Sequence, residues 1–482
     1  MAGFRLTTKV QVSGWRFLLR RVENALVRRD TRMFDDPLGF YGRSAALGVV
    51  VSVLVLVAAL AMAYFKPQGK MGTGNLYVEH STNQLYLMVS GQLHPVYNLT
   101  SARLVLGKAE DPAGAKTADL NRLPKGQVMG IPGAPYATPV SSDSTSRWAL
   151  CDTLSGVDTD HVAVQTAVIS MPLRVNPVDP ILPNEILLAA YQGKSWAITS
   201  TGRHATDLAN RAMSEALGIP PDVKPSPISA ALFNAIPDNG SWQLPPIPSA
   251  GAPNTLGLPD PMVIGSVLQV RRATTGRQYF VVLSDGIAPV NANTAAVLRA
   301  TESYGLVEPP SVAPSVISKI ETRTYTSLLP DDAIKITSRP QDPTVCWSWE
   351  RGPGDHAPKT TILTAERLPI PLASMSNGIK QIQGSATVFI DGGKYVHIQS
   401  PDPRYGESLY YVDPQGVRYG LPDEQTAGSL GLTSPKAAPW EIVRLLVDGP
   451  VLSKDAALLE HDTLPADPSP RKAAADSPGE PQ

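Results

Sequence analysis

The 482-residue chain carries 42 basic against 43 acidic side chains, a balance that argues against a nucleic-acid partner, for which a basic face is expected. Its 43% hydrophobic residues are enough for folded cores, and its 46 prolines favour short strands and many turns over long helices. Two cysteines without CxxC spacing and seven scattered histidines supply no metal-ligand cluster.

In chain order, residues 1–43 form a basic tail. Val12, Trp15, Leu18, Leu19, Val22, Ala25 and Leu26 fall at helical spacing, with Arg16, Arg20, Arg21, Arg28 and Arg29 mostly elsewhere on the wheel. This pattern predicts an amphipathic helix, suited either to an anionic membrane surface or to a cytoplasmic partner. Asp36-Pro37 should break it. Ser44 to Phe65 then runs for 22 residues without a charge, which at about 1.5 Å per residue spans a hydrocarbon core of about 30 Å. Ala61-Met62-Ala63 resembles a signal-peptide cleavage site, but the apolar run exceeds the roughly 7–15 residues of a signal h-region. A retained single-pass anchor is expected, with the arginine-rich N-terminus cytoplasmic and the body outside.

Beyond the anchor the hydrophobic period becomes two. Asn75–Glu79 and Gln84–Val89 read as strands, Ser90-Gly91-Gln92 as a turn, Leu93–Val96 as another strand, and Ser101–Leu104 as helix. The pattern returns 194 residues later, with Ser90, Pro95, Val96, Thr100, Ala102 and Leu104 matched by Ser284, Pro289, Val290, Thr294, Ala296 and Leu298. Two weaker copies are expected. One has strands at Glu185–Tyr191 and Trp196–Ile198, followed by a helix from about His204 to Gly218. The other has strands at Ser408–Val412 and Val417–Tyr419, followed by a helix from Glu424 to Leu432. Pro220–Pro227, Pro245–Pro261 and Pro309–Pro314 read as extended connectors. Ala438–Asp462 reads as two helices, and the tail from Pro465 as disordered. Cys151 and Cys346 each lie near tryptophan on the exported side, where a disulfide is favoured over free thiols or a metal site.

Thr7-Thr8-Lys9-Val10-Gln11-Val12-Ser13-Gly14-Trp15-Arg16-Phe17-Leu18 with Arg21, Asp36-Pro37, the single anchor, the repeat unit and the cysteine pair resemble the EccB family of mycobacterial ESX (type VII) secretion components. The lack of long insertions suits the ESX-1 type. The resemblance covers essentially the whole chain and implies an α+β fold: one N-terminal transmembrane helix and an extended periplasmic body of a disulfide-bonded central domain with four small repeat domains. Mapped onto this sequence it implies a cytoplasmic tail 1–43, a span 44–65, repeats at 66–110, 181–250, 251–308 and 381–435, a central domain in two parts at 111–180 and 309–380, a C-terminal helical segment 436–464 and a tail 465–482. It further implies assembly in the inner membrane with an EccC-type ATPase, EccD and EccE, and self-association.

Family members are also described as ATPases. The nearest thing to a phosphate-binding loop is Gly193-Lys194-Ser195, but the position of the motif's first glycine holds Leu188, and the setting suits a hairpin turn between strands. GxSxG, HExxH and cysteine–histidine pairs are absent from the sequence. Asp158, Asp160, Asp331 and Asp332 read as turns or loop faces, and His94 and His204 as ordinary surface or packing residues and not ligands. Three functions are carried forward, in order: a non-catalytic scaffold of the secretion complex, an ATP hydrolase without a recognisable Walker motif, and a wall-glycan-binding module using Tyr86, Tyr97, Trp196 and Tyr279. No catalytic, cofactor or metal residue is assigned.

Overall fold

The computed structural model describes residues 8–29, 37–65, 74–156, 162–173, 178–272, 276–337, 341–382, 384, 386–399 and 407–464. The C-terminal tail from 465, Asp158, Asp160 and Asp36 therefore lie outside the described residues.

Two helices come first, α1 (Lys9–Arg28) and α2 (Pro37–Phe65). The backbone amide of Thr8 donates to Gln11 Oε1 at 3.0 Å at the start of α1, and Arg29 in the left-handed conformation ends it, its amide bonding Ala25 O at 3.0 Å. Trp15, Leu18, Leu19, Val22 and Leu26 are exposed on α1. Pro37 opens α2, where its missing N–H costs nothing. The stretch Tyr41–Met62 is long and apolar enough to cross a membrane, and none of its apolar window is buried.

Four of the five sheets follow one plan. Each is a three-stranded antiparallel meander, followed by a helix and then by two short segments that return parallel to its outer strands. In the first sheet the meander is Leu76–Glu79, Leu85–Val89 and Gln92–Val96, with Ala113–Ala115 returning beside the first strand and Val128–Met129 beside the third. In the second it is Glu185–Tyr191, Lys194–Thr199 and Gly202–Thr206, flanked by Ser226–Pro227 and Asp238–Ser241. In the third, Val267–Arg272, Gly276–Leu283 and Gly286–Val290 are flanked by single bridges at Ser311 and Thr322. In the fourth, Lys394–Gln399, Glu407–Val412 and Val417–Leu421 are flanked by Lys436–Ala437 and Val447–Asp448.

One local signal recurs at the start of each post-meander helix. Asn98, Asn210, Asn291 and Asp423 accept hydrogen bonds from the amides of Ser101, Met213, Thr294 and Thr426 at 2.8, 3.1, 2.7 and 2.6 Å. Each occupies the N-cap, where a short side-chain acceptor satisfies an otherwise orphaned donor.

The fifth sheet lies at the centre of the chain's architecture. Its strand order is Ile379–Lys380, Ala386–Ile390, Ala163–Ser170, Ser146–Ser155, Thr344–Arg351, Lys359–Ala365, Val178–Pro180. The middle two strands run antiparallel with Cys151 opposite Cys346. The outer sheets pack in pairs. Met213, Leu217 and Trp242 of the second share a core with Val297 of the third, and Leu104 of the first shares one with Tyr395, Tyr411 and Ala427 of the fourth. Glu460–His461 then pairs with Val128–Met129, returning the C-terminal segment to the first sheet.

Several expectations change. Beyond the expected unit boundaries at 110, 308 and 435, the parallel returns at 113–129 and 436–448 and the single bridges at Ser311 and Thr322 hydrogen-bond to the meanders before them. His204 begins no helix: it pairs with Ala197 in the third strand of its meander, and the helix is Arg211–Ala216. The segment 436–464 holds one-turn helices at Trp440–Val443 and Lys454–Ala457 between short strands. Leu258 and Met262, at the end of the Pro245–Pro261 connector and just beyond it, are buried against the third sheet.

Replacing Cys151 by Ser should lower unfolding free energy by about 2–5 kcal/mol, the usual cost of losing a native disulfide. Denaturant titration of the purified chain measures it, and loss of the faster nonreducing gel migration checks that the bridge is gone.

Candidate functional site

The strands joined by the disulfide alternate their side chains between two faces. Cys151, Cys346, Ala149, Ala167, Ile169 and Phe389 form a core on one face. Trp148, Leu150, Val345, Trp347 and Trp349 point to the other, where they receive Leu232 and Ile236 from the second sheet's second helix (Ala230–Ala235) and Ile442 and Val443 from the fourth's (Trp440–Val443). The two cysteines are at most 1% exposed, and their Cα atoms stand 4.0 Å apart. Asp152, buried on the helix-bearing face, accepts the amide of Ser229 at 2.7 Å and the hydroxyl of Thr166 at 2.9 Å. Ser229 in turn caps the amide of Leu232 at 3.1 Å. A carboxylate on the central strand thus holds the start of the helix that docks the second sheet.

Two arginines at matching places tie the outer sheets to these helices. Arg203 lies 4.2 Å over Phe233 and 5.8 Å over Trp196. It donates to the carbonyl oxygens of Phe233 at 2.6 Å and Ile236, and pairs with Asp238 at 3.4 Å. Arg418 lies 5.1 Å over Trp440 and 5.8 Å over Tyr410, donates to Leu446 O at 3.4 Å, and pairs with Asp448 at 2.8 Å. Strand register makes the match independent of sequence similarity, since Arg203 pairs with Asp238 and Arg418 with Asp448 between equivalent parallel strands. The sequence analysis missed both; the shared signal is an arginine in the third meander strand together with an aspartate thirty or more residues on.

The phosphate-loop candidate is a two-residue hairpin. Gln192 and Gly193 both have positive φ, 50° and 72°, and join strands in which Tyr191 opposes Lys194. This is the turn a tight hairpin favours. Lys194 and Ser195 then continue as strand, whereas a phosphate loop leads into a helix N-terminus. Among the described residues no group of three or more His, Cys, Asp or Glu side chains is arranged to hold a metal ion.

The other residues singled out are structural in their contacts. His94 is buried with Nδ1 3.0 Å from Gln127 O. His204 is buried beside Trp242, ring centroids 5.7 Å apart, and burial pushes its pKa down while the nearby Asp238 opposes the shift. Asp331 accepts from Asn291 at 2.9 Å. Trp196 packs edge-on to Phe233 at 4.8 Å and Tyr97 lies 5.7 Å from His461, while Tyr86 and Tyr279 are half-buried on strands.

One membrane-competent helix, a disulfide-joined central sheet and four sheets of a single plan define a multi-sheet protein with an N-terminal apolar helix. The family model described as "Type VII secretion system ESX-1, transport TM domain B" matches residues 4–466. The chain is 64% identical over 480 residues to the ESX-1 secretion system ATPase EccB1 of Mycobacterium tuberculosis (strain H37Rv), covering 99% of this chain and 100% of that protein. It is 58% identical over 479 residues to the EccB1 of Mycolicibacterium smegmatis (strain MKD8), covering 98% and 99%. Among solved structures it is similar to a chain of the intact ESX-5 inner membrane complex, with TM-score 0.77, 28% identity, and 98% of this chain and 99% of that chain covered. A chain of the EccB3 dimer from the ESX-3 core complex matches with TM-score 0.73 and 30% identity, over 80% of this chain and 100% of that one. The chain belongs to the EccB family of type VII secretion components and is of the ESX-1 type.

Arg203→Ala and Arg418→Ala should each lower stability by roughly 2 kcal/mol, since each leaves backbone acceptors and an aspartate without a charged donor. Lysine at either position should recover only part, because it cannot fork between carbonyl and carboxylate while lying on a ring. Denaturant midpoints of the two pairs of variants give the comparison. His204 should make the protein acid-sensitive: its neutral form is favoured by folding, so its contribution is present above the ordinary histidine pKa of about 6.5 and is lost as pH falls through the depressed folded value. His204→Phe should flatten the slope of unfolding free energy against pH between about pH 7.5 and 5.

Proposed function

We propose that this protein is a non-catalytic structural core component of an ESX-1-type secretion complex, anchoring and scaffolding the part of the complex outside the inner membrane. The observation that carries this reading is the architecture: a single membrane-competent helix joined to a body in which every sheet is locked to the central disulfide seam or to a neighbouring sheet. Relatives described as part of the ESX-5 inner membrane complex and as an EccB3 dimer from the ESX-3 core complex support it. The arginine-rich α1 side is cytoplasmic and the body periplasmic, as charge asymmetry across α2 dictates. The four like sheets are copies of one repeat unit around the disulfide-bonded central domain. The chain associates with a second copy and with an EccC-type ATPase, EccD and EccE, the exposed apolar stripe of α1 serving the cytoplasmic contacts.

ATP hydrolysis is the second reading, favoured by the printed name of the ESX-1 relatives. Against it stands the Gly193–Ser195 hairpin, which continues into strand. Contact with wall glycan is the third, and the half-buried state of Tyr86, Trp196 and Tyr279 weakens it.

A tagged full chain drawn from gently solubilised membranes should come out in a megadalton-scale assembly containing a cytoplasmic ATPase, and deletion of residues 1–40 should strip the cytoplasmic partners from it. Recovery as a lone chain or a simple dimer would overturn the scaffold reading. ATP turnover that follows the purified chain and changes with its own substitutions would establish the enzyme.

A further inference from the structure

The shared plan of the second and fourth sheets provides an internal comparison. Ser226 pairs with Ala189 in the second, and Lys436 pairs with Val396 in the fourth, each between the first meander strand and its parallel return. Counting back two residues on each meander strand, Leu187 corresponds to Lys394. In the second sheet these positions line a void of about 10 Å³ beside the central strands. In the fourth, the corresponding Lys394, Val396 and Lys436 line a cleft of about 310 Å³ where residues 140–147 run into the central sheet. Two positions that are leucine and serine in one half of the molecule are thus lysine in the other, and the closed contact has become an opening.

Lys394 and Lys436 share a sheet face because side chains two apart on a strand point the same way. That face meets the central core through Val396 and Ile398. Arg147 adds a third cation to the lining, and Ser141, Thr145 and Ser434 add hydroxyls. Three carboxylates stand around it. Glu350 pairs with Arg147 at 3.0 Å, Asp391 pairs with Lys394 at 2.6 Å, and Asp143 lines the cleft. Lys436 forms no ion pair among the described residues. Burial and then the charge of Lys394 push its pKa down, with Asp143 partly opposing. Lys436 is thus a half-buried ammonium without an ion-pair partner, where an added anion gains by neutralising its charge and accepting a hydrogen bond from it, while Lys394, already paired with Asp391, adds a second donor beside it.

We propose that the cleft between the fourth sheet and the segment 140–147 binds an oxyanion of the phosphate class, held by Lys436 and Lys394 with hydroxyl donors from the surrounding loop. Phosphate carries the charge to answer Lys436 and enough acceptor oxygens to use Lys394 and the serine and threonine hydroxyls as well.

The test is calorimetric titration of the full chain in detergent at low ionic strength with inorganic phosphate, with ATP and acetate as parallel arms. Saturable phosphate binding should weaken by about tenfold or more in Lys436→Gln and in Lys394→Leu, and persist in Lys436→Arg. Acetate should bind more weakly than phosphate. Tighter binding of ATP through the same lysines would identify the phosphate as a nucleotide's, and ATP binding no tighter than phosphate would identify it as free or polymer-linked. Phosphate heats that fail to saturate, or that are unchanged in both lysine variants, would overturn the proposal. If the variants fail to form the Cys151–Cys346 bridge, acylation of Lys436 in the native chain decides: phosphate should protect it, and equal labelling with and without phosphate would overturn the site.

Discussion

Two strands far apart in sequence, Ser146–Ser155 and Thr344–Arg351, are brought side by side and fastened at one covalent point, Cys151–Cys346, with a sequence separation of 195. In the chain-entropy account, closing so long a loop removes about 5 kcal/mol of freedom from the unfolded state. The structural consequence is larger than the bond. Once the pair is in register, one face of the two strands presents tryptophans, leucine and valine as a common bed, and the helices of the second and fourth sheets both lie on it. The third and first sheets are then carried by the second and fourth through their shared cores. Every outer sheet is therefore positioned, directly or at one remove, by the seam.

The seam also separates two similar halves. Each half contributes a meander sheet, a pair of central strands and a second meander sheet, and the 194-residue offset between matching segments of the first and third sheets is nearly the cysteine separation. Matching clamps at Arg203 and Arg418 repeat the same solution on the two sides, a guanidinium lying on an aromatic ring while bonding backbone carbonyls where the chain leaves the docking helix. Such a body suits a scaffold, since it offers several surfaces held at fixed angles. Where the halves diverge, function is the natural place to look. Leu187 and Ser226 on one side become Lys394 and Lys436 on the other, and the void of about 10 Å³ at the first junction gives way to a cleft of about 310 Å³ at the second.

How much of this was legible depended on how local the signal is. The membrane-competent helix was plain, because a charge-free run of that length has few other uses. The cysteines were legible through compartment and number, and the first and third sheets through residues matched at one spacing. The helix caps Asn98, Asn210, Asn291 and Asp423 act within three residues of themselves, a local signal that the reading of the sequence left unused. Return strands such as Lys436–Ala437 and the bridge at Ser311 were not, because two residues carry no period and their pairing is set by tertiary contact. His204 was mistaken for helix because the alternation of Gly202–Thr206 is too short to outweigh the helical run after it. The lysine cleft was invisible because its parts come from segments near 140, 394 and 436, joined only by the fold.

The disulfide seam fixes the two halves relative to one another, and the distance between them is measurable. Spin labels attached by non-cysteine chemistry at Gln192 and Gln415, in the exposed hairpin turns of the second and fourth sheets, report that distance by pulsed electron resonance in the full chain. A single narrow distribution in the native protein, broadening when Cys151 and Cys346 are both replaced by serine, is the predicted result. A broad distribution in the native protein, or one indifferent to loss of the disulfide, would contradict it.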